Sequence, residues 1–297
     1  MPLVPFNALL AHAAAHQYAI AYFEAWDQHS LEGTLLAAEQ LEAPTILGWG
    51  GAITSYEWLE AGGIEQQAAL ALALARRAQV PCAVMFNEAR SPAHLERALE
   101  LGANAVMLDT SHLGYEENAA ATRPVVMMAH ARGAAVEAEL GHLAAADDPA
   151  TPPHPTDPAE AVTFVRDTQV DALAVSVGNV HVMTVGESGV DLELLERIHH
   201  AVDVPLVIHG GSGYPSWAVR GAIERGVRKF NVGTRLKAAW LAGLRQALGR
   251  LPAAFDIQQV VGSREAADVF LPAQRKLIQE MLPLLELYGA AGKARRW

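Results

Sequence analysis

The chain of 297 residues is 51% hydrophobic and carries 22 Lys+Arg against 33 Asp+Glu, a formal net charge of −11. That is enough apolar matter for a large core and excludes intrinsic disorder over most of the length, while the acidic balance argues against nucleic acid, which needs a basic face. A lone cysteine, Cys82, excludes an intrachain disulfide framework and a zinc site built from several thiolates.

The opening residues, MPLVPFNALLAHAAAHQYAI, lack a basic leader, and no uncharged apolar run reaches membrane-spanning length. A cytoplasmic protein with no membrane partner is therefore expected. In chain order, short apolar runs bounded by Gly, Pro or polar residues predict strands at 17–24 (QYAIAYFE), 44–48 (PTILG), 81–88 (PCAVMFNE) and 105–109 (AVMLD). Four more follow at 134–140 (AAVEAEL), 172–178 (ALAVSVG), 205–209 (PLVIH) and 227–232 (VRKFNV). Between them, apolar residues at three- and four-residue spacing predict helices at 30–42, 64–79, 92–101 and 217–225. Eight β/α alternations without a domain-sized break predict one α/β domain over 1–297, a parallel (β/α)8 TIM barrel. Its strands and crossover helices occupy 1–234, and 235–297 supply the final helix and a helical extension. A doubly wound open sheet is the competing architecture, and the strand count argues against it. The basic end, 293–297, reads as a frayed tail.

The stretch 144–158 (AAADDPATPPHPTDP) is Pro-rich, acidic and aperiodic, and follows the fifth strand where a barrel places a βα loop. It reads either as a lid or as a plain surface excursion. The strand ends are more informative. Asn87 and Glu88 close the third strand, Asp109 the fourth, and Glu137 and Glu139 lie on the fifth. His181 follows the sixth, His209 ends the seventh and Asn231 lies within the eighth. Burying so many polar groups without compensation would cost several kcal/mol, so a shared ligand at the mouth is expected.

Two glycine-bearing segments follow the last two strands. LVIHGGSG contributes Gly210, Gly211, Ser212 and Gly213; KFNVGT contributes Asn231, Gly233 and Thr234. Glycines let backbone N–H groups approach an anion, and barrels often hold phosphate after strands seven and eight. Acidity overall does not exclude such a small phosphorylated partner, since local backbone and a few cations can hold it. Lys229 would add positive charge there or pair with a carboxylate. His181 and His209 are candidate zinc ligands or, alternatively, two hydrogen-bonded structural histidines. His12, His16, His94, His130, His199 and His200 sit on helical patterns and are expected at the surface. His112, in TSHLGY, reads either way.

These segments resemble the metal-dependent class II aldolases of the fructose-bisphosphate and tagatose-bisphosphate type. The resemblance spans about residues 5–245 and rests on VMLDTSHL (106–113), VEAELGHL (136–143), SVGNVH (176–181), LVIHGGSG and KFNVGT, in family order and spacing. It implies a TIM barrel and a zinc ion held by three histidines, two of which fall on His181 and His209. The third belongs to a motif like HLDH, whose Asp is the catalytic acid/base. Here that motif is Met85-Phe86-Asn87-Glu88. Carboxylate binds zinc at distances like those of imidazole, so Glu88 can complete a His2Glu set; otherwise Glu88 is a salt-bridged strand end. Asn87 can orient a substrate but cannot exchange a proton near neutral pH. Acid/base work would pass to Glu139 or Asp109, with Asp147, Asp148 and Glu24 as further carboxylates. Glu24 stands where the family commonly has Asn, and Val182 follows His181 where the family tends to have Gly.

The expected activity is that of a zinc-dependent lyase cleaving a ketose phosphate or bisphosphate to dihydroxyacetone phosphate and an aldehyde. Asn87, Asp109 and Glu139 form the catalytic set, and Glu88, His181 and His209 the metal set. The substrate's phosphate would lie on Gly210, Gly211, Ser212, Gly213, Asn231, Gly233 and Thr234. The loss of the family's Asp leaves two alternatives: another enediolate reaction (epimerase or dehydratase) on a sugar phosphate or sugar acid, and a non-catalytic phosphosugar- or metal-binding homologue. By resemblance the chain is a homo-oligomer, dimer or tetramer.

Overall fold

The computed structural model describes residues 3–146, 152–183 and 186–297. Its strands, in chain order, are β1 (Ile20–Ala25), β2 (Thr45–Gly50), β3 (Cys82–Ala89), β4 (Ala105–Leu108), β5 (Ala135–Leu140), β6 (Ala144–Ala145), β7 (Ala172–Val175), β8 (Val180–His181), β9 (Leu206–Ile208) and β10 (Val227–Val232). All but β6 and β8 form a closed, wholly parallel barrel in the order β1-β10-β9-β7-β5-β4-β3-β2. Closure comes from β1 against β10, with Tyr22 opposite Asn231. Helices lie between successive barrel strands, which makes this a TIM barrel. Strands β2, β5 and β10 are buried along their whole length, the consequence of helices outside and packed side chains within.

The expected strand runs all lie in the barrel; 227–232 matches β10 at both ends, and the others are displaced by one to three residues at one end or both. β1 starts at Ile20 rather than 17, because Gln17 has φ +51 and turns the chain out of the preceding helix, Phe6–Ala15. The helix expected at 30–42 runs Gln28–Gln40 instead. Asp27 caps it by accepting from the Ser30 N–H at 2.8 Å, and the Ser30 hydroxyl accepts in return from the Asp27 N–H at 2.9 Å. The paired strands β6 and β8 were not expected; at two residues each they carry no readable alternation.

After the barrel, helices Thr234–Leu248 and Phe270–Leu287 pack on each other, and the second also packs on Gln28–Gln40. The basic end does not fray: Gly292 N–H donates to Leu41 O at 2.7 Å, Ala294 N–H to Glu42 O at 2.8 Å, and Lys293 Nζ to His16 O at 3.2 Å. His94 also departs from expectation. It is 3% exposed and its Nε2 lies 2.5 Å from Glu60 Oε1, because it shares the inward face of its helix with Leu95 and Ala98. His12, His16 and His199 are half-buried, and His130 and His200 exposed. Among the described residues, no helix is long and apolar enough to cross a membrane.

Candidate active site

The strand ends of the C-terminal side converge on one point. One ligand atom each of Glu88, His181 and His209 lies within 4.8 Å of the others. Local backbone aims them. The β3–β4 register shifts between Phe86 and Ala89, and Glu88 within that irregularity has φ +50. Left-handed backbone at a residue with a Cβ costs about 1–3 kcal/mol and is characteristically held at functional sites. Val182, which follows His181, has φ +56. That conformation favours glycine, and it is borne here by a β-branched residue.

His209 sits at the centre and is fully buried. Its Nδ1 lies 2.8 Å from Glu88 Oε1, and its Nε2 lies 2.8 Å from Glu137 Oε1 and 2.9 Å from the Asn231 amide. Burial opposes a charged imidazole, but hydrogen bonds and charge from Glu137 and Glu88 outweigh it and raise His209 to about 10. Glu88 is lowered to about 2: its burial pushes upward and its hydrogen bond to His209 overrides it. Behind this pair, Lys229 Nζ donates to Glu137 at 2.9–3.0 Å and to Asn231 Oδ1 at 2.5 Å, and lies 4.8 Å from the centre of the Tyr22 ring. Burial lowers Lys229, and Glu137 partly restores it. Lys229 is thus partnered with a carboxylate, and it holds the carboxylate that holds His209.

These residues fit a divalent cation. Glu137 accepting from Nε2 leaves Nδ1 facing Glu88 and Glu139, the carboxylate–histidine arrangement that orients a metal-binding ring. Glu139 is buried, its Oε2 lies 3.6 Å from His209 Nδ1 and 3.9 Å from His181 Nε2, and its Oε1 has no hydrogen-bond partner. Two imidazoles and a carboxylate are a donor set that zinc accepts with a coordination position left open.

Two cavities flank this cluster. The first, about 220 Å³, is lined by Asn87, Glu88, His181, Gly210, Ser212, Asn231, Gly233 and Thr234, and also by Tyr22, Glu24 and Lys237. Gly210 has φ +69, and a Cβ there would lie 2.3 Å from Val180 O. At Gly233 a Cβ would lie 2.6 Å from Glu24 Oε2, so glycine is what lets that carboxylate reach the start of helix Thr234–Leu248. Gly211 and Gly213 do not line the cavity; they form the 3-10 turn behind it. Lys237 Nζ donates to Glu24 Oε2 at 3.1 Å, and burial raises Glu24 against that lysine's effect. Asn87 is 1% exposed and its Oδ1 is unpartnered.

The second cavity, about 240 Å³, is lined by Glu88, His181, Asp109, Ser111, Glu139 and His142, among others. Asp109 Oδ1 accepts from the Ser111 N–H at 3.1 Å and hydroxyl at 2.7 Å, shaping the loop after β4. His112 is exposed and lines neither cavity. Asp147 and Asp148 lie outside the described residues. Sequence reasoning missed His142, Lys237, Ile53 and Val182 as cavity residues. His142 in GHL and Lys237, four residues beyond Gly233, carried a readable signal as polar groups beside a strand end and a helix start. Ile53 carried none.

Comparison with known proteins identifies the family. The family model for class II fructose-bisphosphate aldolase matches residues 4–293. The fructose-bisphosphate aldolase of Geobacillus stearothermophilus is 30% identical over 298 residues, covering 99% of each chain. The sulfofructosephosphate aldolase of Alkalicoccus urumqiensis is 29% identical, with 100% of both chains covered. The crystal structure of the YdjI aldolase from Escherichia coli K12 superimposes with a TM-score of 0.81 at 29% identity, over 98% of this chain and 99% of that one. The chain belongs to the class II fructose-bisphosphate aldolase family.

Proposed function

With that family as premise, we propose that the protein is a zinc-dependent lyase that reversibly cleaves a ketose phosphate or bisphosphate into dihydroxyacetone phosphate and an aldehyde. One observation carries the reading: Glu88, His181 and His209 meet within 4.8 Å, with Glu88 and His181 on the wall shared by two cavities and His209 buried behind them, and the first cavity is lined in part by glycine. A divalent cation held by those three residues supplies Lewis acidity, polarising the substrate carbonyl and stabilising the enediolate charge.

The rest is work for the chain's own groups. The phosphate lies in the first cavity, against the turn after Gly210, the Ser212 hydroxyl, the first turn of helix Thr234–Leu248 and the Lys237 ammonium. Asn87, whose amide lines that cavity, orients a substrate hydroxyl by hydrogen bonding. Glu139 is the acid/base. Its carboxylate, on the wall of the second cavity, takes the proton from the C4 hydroxyl as the C3–C4 bond breaks; C4 becomes the aldehyde carbon and the bonding pair passes into the enediolate over C3 and C2. The proton then returns to C3, giving dihydroxyacetone phosphate. Glu137, Lys229 and Asn231 are positioning residues, fixing the ring of His209. Asp109 shapes the wall of the second cavity through Ser111.

Metal analysis and turnover test this together. The purified protein should bind about one zinc per chain, and Glu88→Ala should lose it. With zinc, wild type should release dihydroxyacetone phosphate from a ketose phosphate, and Glu139→Gln should lower kcat by about 10²–10⁴-fold while keeping its zinc. Failure of zinc-loaded wild type to retain the ion sinks the reading. The buried amide of Asn87 favours one second reading, an epimerase or dehydratase using the same enediolate; exchange at C3 without release of dihydroxyacetone phosphate would point there.

A further inference from the structure

One histidine on the wall of the second cavity has no part in the proposed reaction. His142 lines that cavity together with Asp109, Ser111, Glu139 and His181. It follows Gly141, whose φ is +91 and where a Cβ would lie 2.7 Å from His154 O and 2.9 Å from Thr156 Oγ1, so only glycine lets the chain turn there. The backbone of His142 is then fixed on both sides. Its N–H donates to His154 O at 2.8 Å, and its carbonyl accepts from the His154 N–H at 2.8 Å and from the Ser176 hydroxyl at 3.1 Å.

The ring is fixed as well. Nδ1 lies 2.9 Å from Ser111 O. A carbonyl oxygen only accepts, so Nδ1 carries the hydrogen and the neutral ring offers Nε2 as an acceptor. Ser111 is itself held by Asp109, whose Oδ1 accepts from its N–H and its hydroxyl. The half-buried imidazole is thus oriented before any ligand arrives. Glu88 and His181 border both cavities. With the phosphate in the first, the carbons beyond the cluster, which depart as the aldehyde, lie in the second beside His142.

We propose that His142 is a specificity-determining residue for the aldehyde half, its Nε2 accepting a hydrogen bond from a hydroxyl on that half. This rests on the aldolase reading above. The role is recognition: no bond is made or broken at His142, and the proton stays on the hydroxyl. A site built to pair with a hydroxyl discriminates against the analogue that lacks it, and an acceptor already held in place loses little freedom on binding.

The test runs the reaction toward synthesis on the zinc-loaded protein. Dihydroxyacetone phosphate is offered with racemic glyceraldehyde or with propanal, which has the same carbon skeleton and no hydroxyl; neither aldehyde is charged. The readout is the ratio of the two kcat/KM values, which a merely structural role leaves unmoved because it changes both together. His142→Asn keeps a donor where Nδ1 stands, and with it the bond to Ser111 O, but has no atom at the position of Nε2. His142→Gln gives up that bond and brings an amide oxygen near the position of Nε2. The ratio, glyceraldehyde over propanal, should fall by about three- to tenfold in His142→Asn and stay within about twofold of wild type in His142→Gln. A ratio in His142→Asn within about twofold of wild type, or no lower than that of His142→Gln, overturns the inference and leaves the aldolase reading standing. Consumption of neither aldehyde by the zinc-loaded wild type overturns both. Should His142→Asn fail to fold, His142→Phe, which also lacks an acceptor there, takes its place.

Discussion

Two lysine–glutamate pairs lie at the same end of the barrel and differ in almost everything but composition. Lys229 and Glu137 are 2.9 Å apart, both fully buried, on β10 and β5. Lys237 and Glu24 are 3.1 Å apart with side chains 38% and 12% exposed, at a helix start and the end of β1. The inner pair has no access to a ligand; its carboxylate is spent on Lys229 and His209. The outer pair borders the first cavity and can exchange its partner for an incoming anion. The same ion pair is thus fixed where it is dry and, on the proposed function, open to a ligand where it is wet, because desolvation decides whether a charge is free to change partners.

The sharpest way to break this comparison is at the inner pair. Lys229→Met should destabilise the fold by about 3–5 kcal/mol, since it leaves Glu137 buried without its ammonium; urea unfolding measures it. An unchanged midpoint would show that the inner pair holds nothing. Lys237→Ala should do the opposite. Its stability should change by less than about 1 kcal/mol, while KM for the ketose phosphate rises about tenfold through loss of a charge-assisted contact. The smallest effect is expected at Glu24→Gln. Burial already disfavours that carboxylate's charge, so removing it should leave stability nearly untouched and free Lys237 for the phosphate. KM should fall by about two- to fivefold; a rise would place Glu24 on the substrate side of the pair.

The barrel was legible because its strands are short, apolar and buried on both faces, a pattern that survives without knowledge of neighbours. β10 begins and ends where its sequence predicts, at Val227 and Val232. Misplaced ends have local causes, as where Asp27 and Ser30 start a helix two residues early. His94 was misread because its burial is licensed by Glu60, a partner 34 residues away that no periodicity reveals. At the mouth, Asn87, Glu88, Glu139, His181 and His209 stood out as polar groups at the ends of apolar strands. Their roles were not readable in the same way. Gly211 and Gly213 belong to the same motif as Gly210 and Ser212, yet they turn the chain behind the cavity instead of facing it.

The order of apolar runs and glycine-bearing turns by itself determined a parallel barrel with its polar strand ends at one rim, since hydrophobic burial and backbone sterics act locally and repeat along the chain. Tertiary structure alone decided which of those groups meet. The left-handed backbone at Glu88, its hydrogen bond to His209 across 121 positions and the Glu137–Lys229 support beneath that ring are set by residues far apart in the chain. Electrostatic and hydrogen-bond energies turn on distances of an ångström or so between such residues, and barrel closure sets those distances.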